Sequence, residues 1–308
     1  MHKVIITGAT SMIGRALIDE CLEHHLEIYA VIRPNSPHKE RLEKCGTHLH
    51  LVECQLDKLS ELENKVPKGC DTFYHIAWAN TGEARNKNTR KQSVNITYTL
   101  DALETAAKLG CTRFVGAGSQ AEYGICDEDE IGPETPANPT TPYGVSKLAA
   151  GQLARLRAKE LGIICVWPRI FSVYGIYEKD TTMIASSIEK MLAGESTEFT
   201  PAEQRWDYLY SKDAGRAYYL LGKYGKDQQV YCIGSGQAMP LKDYIYIMRD
   251  CINKRIKPGI GMRPYPKGAV MNLCADIDSL RRDTGFVPLY TFEKGIRETI
   301  EWRRSLHQ

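Results

Sequence analysis

The chain has 308 residues, 43% of them hydrophobic and 25% charged, enough to bury one large core or a core with a smaller lobe. Forty basic against 38 acidic residues leave a formal net charge of +2, with both signs scattered along the chain, so neither a nucleic-acid footprint nor a polybasic membrane segment stands out. Ten cysteines occur without a Cys-x-x-Cys pair or a Cys/His cluster at zinc spacing, and Met1-His2-Lys3 leads straight into an apolar run. This reads as reduced, mostly buried thiols in a cytoplasmic setting, with no metal site, no secretion signal and no membrane span.

Short apolar runs at 4–7, 28–32, 48–52, 72–77, 113–117 and 163–167 alternate with helical patterns, the rhythm of a parallel sheet covered by helices. Ile13, Ala16, Leu17 and Cys21 share one helix face, and Ile96, Leu100, Leu103 and Ala107 another; both faces are expected to lie on the sheet. After Arg169 the pattern loosens, with helices predicted at 183–192 and 241–251 between long connections. The expected fold is α/β: a Rossmann-like doubly wound parallel sheet over 1–170, then a smaller α+β substrate-binding lobe over 171–308, with about 205–232 returning to the first domain.

Between the first strand and first helix, Gly8 and Gly14 flank a turn where a missing side chain lets backbone and helix N-terminus approach a pyrophosphate. Ser11 stands where the fingerprint Thr-Gly-x-x-Gly-x-x-Gly has its middle glycine, and its hydroxyl can donate to phosphate. The second strand ends in Arg33 rather than the acidic residue that holds an NAD ribose. A guanidinium attracts a 2′-phosphate, so NADP(H) is expected over NAD(H), with NAD(H) as the alternative.

Farther along, Tyr143 and Lys147 lie one helical turn apart in Thr-Pro-Tyr-Gly-Val-Ser-Lys, with Thr141 placed to cap the helix and Pro142 to open it. A tyrosine hydroxyl ordinarily titrates near pH 10. A neighbouring ammonium and a helix N-terminus favour its phenolate and so proton exchange with an alcohol or carbonyl. An ordinary amphipathic helix carries such a pair as well, so the context decides.

Taken in order, the glycine turn, His75-Ile76-Ala77, Asn95, Gly-Ser-Gln-Ala-Glu-Tyr-Gly at 118–124, Tyr143-x-x-x-Lys147 and Pro-Arg-Ile-Phe-Ser-Val-Tyr-Gly at 168–175 resemble the extended short-chain dehydrogenase/reductases, the NAD-dependent epimerase/dehydratase group acting on nucleotide sugars. The resemblance implies that Ser119 hydrogen-bonds the reacting oxygen, Tyr143 transfers the proton and Lys147 also holds the nicotinamide ribose. It further implies cofactor contacts at Gly8, Ser11, Met12, Ile13, Gly14, Arg33, Gln55, Leu56, Ile76, Ala77, Trp78, Asn95 and Phe171. Substrate contacts are implied at Asn80, Gln120, Ser172, Arg205, Trp206, Arg263 and Lys267. Read blandly, Asn95 only ties a helix to a loop and Ser119 is a strand-end serine. Relatives also pair the two long helices that begin near Asn88 and Tyr143 into a homodimer.

Directly after Ser119, Gln120 and Ala121 replace the Asp-Glu of relatives that eliminate water, and Ala121 the Glu of decarboxylating and Cys of 3,5-epimerising ones. Glu122 comes one position late, where a continuing strand would aim it at the opposite face. What remains is redox chemistry at a sugar carbon. The leading expectation is 4-ketoreduction of a nucleotide-4-keto-6-deoxyhexose; the alternatives are a nucleotide-sugar 4-epimerase that retains NAD, an NADPH reductase of small carbonyl compounds, and a non-catalytic NADP-binding sensor.

Overall fold

The structure is a computed structural model that describes residues 1–43 and 45–307. Its strands are β1 Lys3–Thr7, β2 Glu27–Ile32, β3 Leu49–Glu53, β4 Thr72–His75, β5 Arg113–Val115, β6 Gly118–Ser119, β7 Ile164–Ile170, β8 Ser172–Tyr174, β9 Arg205–Trp206, β10 Tyr208–Tyr210, β11 Val230–Ile233, β12 Met239–Pro240 and β13 Asn272–Leu273. Its α-helices are α1 Met12–Glu23, α2 Thr89–Lys108, α3 Pro142–Leu161, α4 Met183–Leu192, α5 Ser211–Tyr224, α6 Leu241–Ile252, α7 Asp278–Thr284 and α8 Phe292–Ser305.

Seven strands run in the order β11-β7-β5-β4-β1-β2-β3, with β6 added alongside β7, and all pairings in this sheet are parallel. Parallel strands need helices on both faces. Here α1 packs with α5 and α2 with α3, giving one core layer around Val4, Ile6, Leu17 and Tyr218 and another around Ile5, Phe73, Leu103 and Trp167. A third apolar cluster joins α4, α6 and α8 through Ile188, Ile245 and Ile300. Chain order reverses between β1 and β4, and the crevice at the carboxyl ends of such strands is where α/β sheets hold their ligands.

Several sequence boundaries shift. The fourth strand stops at His75 rather than 77, because Ile76 and Ala77 leave the sheet to pass over the Gly8 turn. The last predicted strand instead continues to Ile170, since β11 pairs with it as far as that residue. On α2 the fully buried stripe is Gln92, Asn95, Thr99, Ala102, Leu103 and Ala106, whereas Ile96, Leu100 and Ala107 are only partly buried. Gln92 and Thr99 were overlooked because periodicity counts only apolar side chains.

Candidate active site

The turn between β1 and α1 is built by close approach. Gly8 has φ +72°, and a Cβ there would lie 2.8 Å from the Ala77 nitrogen. A Cβ on Gly14 would lie 2.2 Å from the Gly8 carbonyl oxygen, closer than any side chain tolerates. Ser11 fits without being glycine: its φ of −73° is ordinary, and its Oγ accepts from the Gly14 N–H at 3.0 Å as the N-cap of α1. The cap leaves the hydroxyl hydrogen for an anion. This bare turn opening a helix fits a dinucleotide pyrophosphate.

Arg33 follows β2 directly and is exposed. Gln55, exposed, and Leu56, partly buried, follow β3. An unforeseen neighbour is Arg41, whose Nη1 donates to the Thr10 carbonyl at 2.8 Å while its guanidinium stacks 4.5 Å over the Tyr177 ring. Met12 and Ile13 form the first turn of α1.

Beneath the crevice Thr7 Oγ1 lies 3.0 Å from His75 Nδ1 and accepts from the Ala77 N–H at 3.3 Å. Burial, with the Lys147 cation adding to it, pushes His75 down to about 3, so it is neutral and structural. Asn95 Oδ1 accepts from the Ala79 N–H at 2.7 Å, and its Nδ2 donates to the Ala79 carbonyl at 3.3 Å. One turn earlier, Gln92 accepts from Trp78 Nε1 at 2.9 Å and donates to the Asn80 carbonyl at 2.8 Å. Asn95 therefore ties α2 to the 78–80 loop, and Gln92, absent from the sequence reading, does so too.

At the carboxyl end of β6, Ser119 is buried. The strand stops there and a 3-10 turn of Gln120–Glu122 begins, so the Glu122 carboxylate folds back instead of pointing across the sheet. That corrects the strand-based expectation: Ser-x-x-Glu is a capping box. Glu122 Oε1 accepts from the Ser119 N–H at 2.9 Å and from Trp167 Nε1 at 3.1 Å, while Oε2 pairs with Arg169 Nε at 2.7 Å. The Ser119 Oγ accepts from the Ala121 N–H at 3.2 Å.

The start of α3 is pressed against this turn, since a Cβ on Gly144 would lie 2.3 Å from the Ala121 carbonyl. Thr141 Oγ1 caps the helix through the Gly144 N–H at 3.1 Å, and Pro142 opens it. Lys147 is buried; its Nζ donates to the Ala117 carbonyl at 2.5 Å and sits 3.6 Å over the Trp78 ring and 5.7 Å from the centre of the Tyr143 ring. Burial pushes its ammonium down to about 7, opposed by the Glu122 charge and reinforced by Arg85. The Trp78 and Tyr143 rings meet edge to face at 6.0 Å, and Arg85 lies 4.1 Å over the Tyr143 ring. Ser119, Tyr143 and Lys147 thus lie on adjoining elements, the end of β6 and the first turns of α3 packed against it.

The family model for the NAD dependent epimerase/dehydratase family matches residues 4–234. The chain belongs to that family. It is an enzyme of the extended short-chain dehydrogenase/reductase type, a group whose similar members are NAD-dependent and are named for nucleotide sugars. It is 25% identical to a dTDP-glucose 4,6-dehydratase of Escherichia coli, over 97% of this chain and 92% of that one. It is 23% identical to a dTDP-4-dehydro-6-deoxyglucose reductase of Escherichia coli, over 97% of each. Its fold is that of the UDP-glucose 4-epimerase of Thermotoga maritima, solved with UDP-glucose: TM-score 0.87 at 22% identity, covering 99% and 100% of the two chains.

Several residues assigned to substrate by resemblance have other partners. Arg205 donates to the Ala238 carbonyl at 2.7 Å, and Trp206 Nε1 donates to the Ser172 hydroxyl at 2.7 Å. Asn80, at φ +61°, gives its amide to the Lys91 carbonyl at 2.9 Å. Arg263 pairs with Glu198 at 2.9 Å, beside a cavity of about 290 Å³ that Thr181 and Lys190 also line. Gln120 is partly buried in the turn after Ser119, and Lys267 is exposed. Phe171 is buried against Tyr123, with ring centres 6.2 Å apart. Asp207 proves architectural: its carboxylate takes N–H bonds from Ser235, Gly236 and Ala275 and one from the Ser235 hydroxyl. Among the described residues all ten cysteines are free, no cluster suits a metal ion, and no helix is long and apolar enough to cross a membrane.

Proposed function

We propose that this enzyme reduces the 4-keto group of a nucleotide-linked hexose, with NADP(H) as the preferred cofactor. The observation that carries the reading is the Ser119/Tyr143/Lys147 constellation beside a turn with no free acid. Gln120 and Ala121 do not ionise, and both oxygens of Glu122 are committed to Ser119, Trp167 and Arg169. Elimination of water needs a further acid and base; simple redox at a carbinol carbon does not.

The nicotinamide nucleotide supplies hydride chemistry. Gly8, Ser11 and Gly14 would hold its pyrophosphate, Arg33 its 2′-phosphate, and Lys147 its nicotinamide ribose. Tyr143 delivers its hydroxyl proton to the ketone oxygen as that oxygen gains charge, and Ser119 Oγ donates a hydrogen bond to the same atom. Lys147 keeps a positive charge next to the phenolate that results. The partly buried Trp78 ring covers one side of Lys147, which limits the access of water there.

Stoichiometric NADPH oxidation with a panel of nucleotide-linked 4-keto-hexoses supports the reading. Tightly held NAD with no net consumption overturns it in favour of a 4-epimerase, the reaction named for the Thermotoga maritima enzyme. Replacing Arg33 with alanine should weaken NADPH binding at least about tenfold and leave NADH nearly unchanged; equal losses would refute the phosphate role. Exposed Val94 on α2 and Val145, Leu153 and Leu156 on α3 support a homodimer through these helices. Light scattering should give twice the chain mass, and a monomer at micromolar concentration would contradict that.

A further inference from the structure

Two cations, Arg85 over the Tyr143 ring and Lys179 on a separate segment, have no role in the reaction described so far. Arg85 lies on the 3-10 turn Glu83–Arg85 and covers the Tyr143 ring at 4.1 Å. Lys179, from the segment between β8 and α4, donates from Nζ to the Thr81 hydroxyl at 2.9 Å and to the Thr81 carbonyl at 3.2 Å. Both line a cavity of about 450 Å³ together with Thr81, Lys87 and Thr181. The acid on that wall, Glu83, is 3.8 Å from Lys87. Among the described residues no carboxylate lies within ion-pair distance of Arg85 or Lys179. Both residues are exposed, and partial desolvation, then the Arg85 charge, push the Lys179 ammonium down. Like charges held together without a counterion raise the free energy of the empty site, and an anion arriving between them removes that cost.

We propose that Arg85 and Lys179 form an anion subsite for a carboxylate carried by the sugar, so that the substrate class is a nucleotide-linked hexuronate. This rests on the nucleotide-sugar reading above. The position of Arg85 suggests the source of the anion. Tyr143 exchanges its proton with the oxygen on C4 and Arg85 lies on the Tyr143 ring, so the anion to consider is the one carried nearest C4. In a hexuronate the carboxylate is carried by C5, the carbon bonded to C4. The diphosphate is carried by C1, across the ring. A 6-deoxyhexose, the sugar expected from resemblance alone, has a methyl group in the carboxylate's place and would leave both cations uncompensated.

Calorimetric titration of the purified protein tests this with UDP, UDP-glucose and UDP-glucuronic acid, and with the corresponding dTDP trio. The expected result is that the uronate binds at least about tenfold more tightly than the hexose of the same base. Arg85→Ala and Lys179→Ala should each remove most of that preference, and Arg85→Lys should keep part of it. Equal weakening of nucleoside diphosphate, hexose and uronate by these variants would assign the cations to the diphosphate and overturn the proposal. A uronate that binds no more tightly than the hexose overturns it directly while leaving the nucleotide-sugar reading in place. Failure of all six ligands to bind would remove that reading first and this proposal with it.

Discussion

Replacing Glu122 by leucine should destabilise the protein far more than removal of one side chain at the surface would. The carboxylate is fully buried and makes three bonds: to the Ser119 N–H, to Trp167 Nε1 and to Arg169 Nε, the last at 2.7 Å. Leucine keeps most of the volume but leaves Arg169 buried with only the Tyr123 ring 4.4 Å away and the Pro133 carbonyl at 3.5 Å. Breaking a buried ion pair from one side costs about 3–5 kcal/mol. The lost amide and indole bonds overlap with that cost rather than adding to it. Urea unfolding followed by circular dichroism measures the loss. Since the penalty belongs to the stranded charge, Glu122→Leu combined with Arg169→Met should recover at least half of it. A single variant that loses less than about 1 kcal/mol, or a double variant no better than the single, would refute the reasoning.

Two further outcomes follow from the same geometry. Lys147 is pushed down to about 7 by burial, against about 10.4 in an unfolded chain. Between these values the unfolded chain holds a proton that the folded one has released, so stability rises with pH across that window and is flat below it. In nucleotide-free protein the stability of wild type relative to Lys147→Met should climb between pH 7 and 10, by up to about 1.4 kcal/mol per unit; a difference constant with pH would refute the shift. In Gly14→Ala the new methyl would stand 2.2 Å from the Gly8 carbonyl. The turn must open, so NADPH affinity, read by its fluorescence, should fall at least about tenfold, and unchanged affinity would show that the turn yields without cost.

How much the sequence disclosed depended on the kind of signal. The parallel sheet was legible because strands buried on both faces read as continuous apolar runs, as in Val4–Ile5–Ile6 and Phe73–Tyr74. The α3 cap and the Tyr143/Lys147 spacing were legible because they are local. Glu122 was misread for want of one fact, where β6 ends, although its Ser-x-x-Glu pattern with Ser119 carried the capping signal. Gln92 was passed over because a polar residue on a buried helix face looks like an interruption until its partners, Trp78 and Asn80, are in view. The surroundings of the substrate candidates were not legible. Arg205, Trp206 and Arg263 were chosen by likeness of short segments, and their bonds to Ala238, Ser172 and Glu198 depend on chain paths that no spacing encodes. Arg85 and Lys179 come together from segments far apart in the chain, and neither lies in a motif.

The claim on which the account turns is that Tyr143 moves the proton. Tyr143→Phe keeps the ring that Trp78 and Arg85 contact and removes only the hydroxyl. With whichever nucleotide sugar the wild type converts, turnover and cofactor affinity should be measured together on this variant. Turnover should fall about 10²–10⁴-fold, with the cofactor dissociation constant changed by less than about threefold. Wild-type turnover in the phenylalanine variant would contradict the claim.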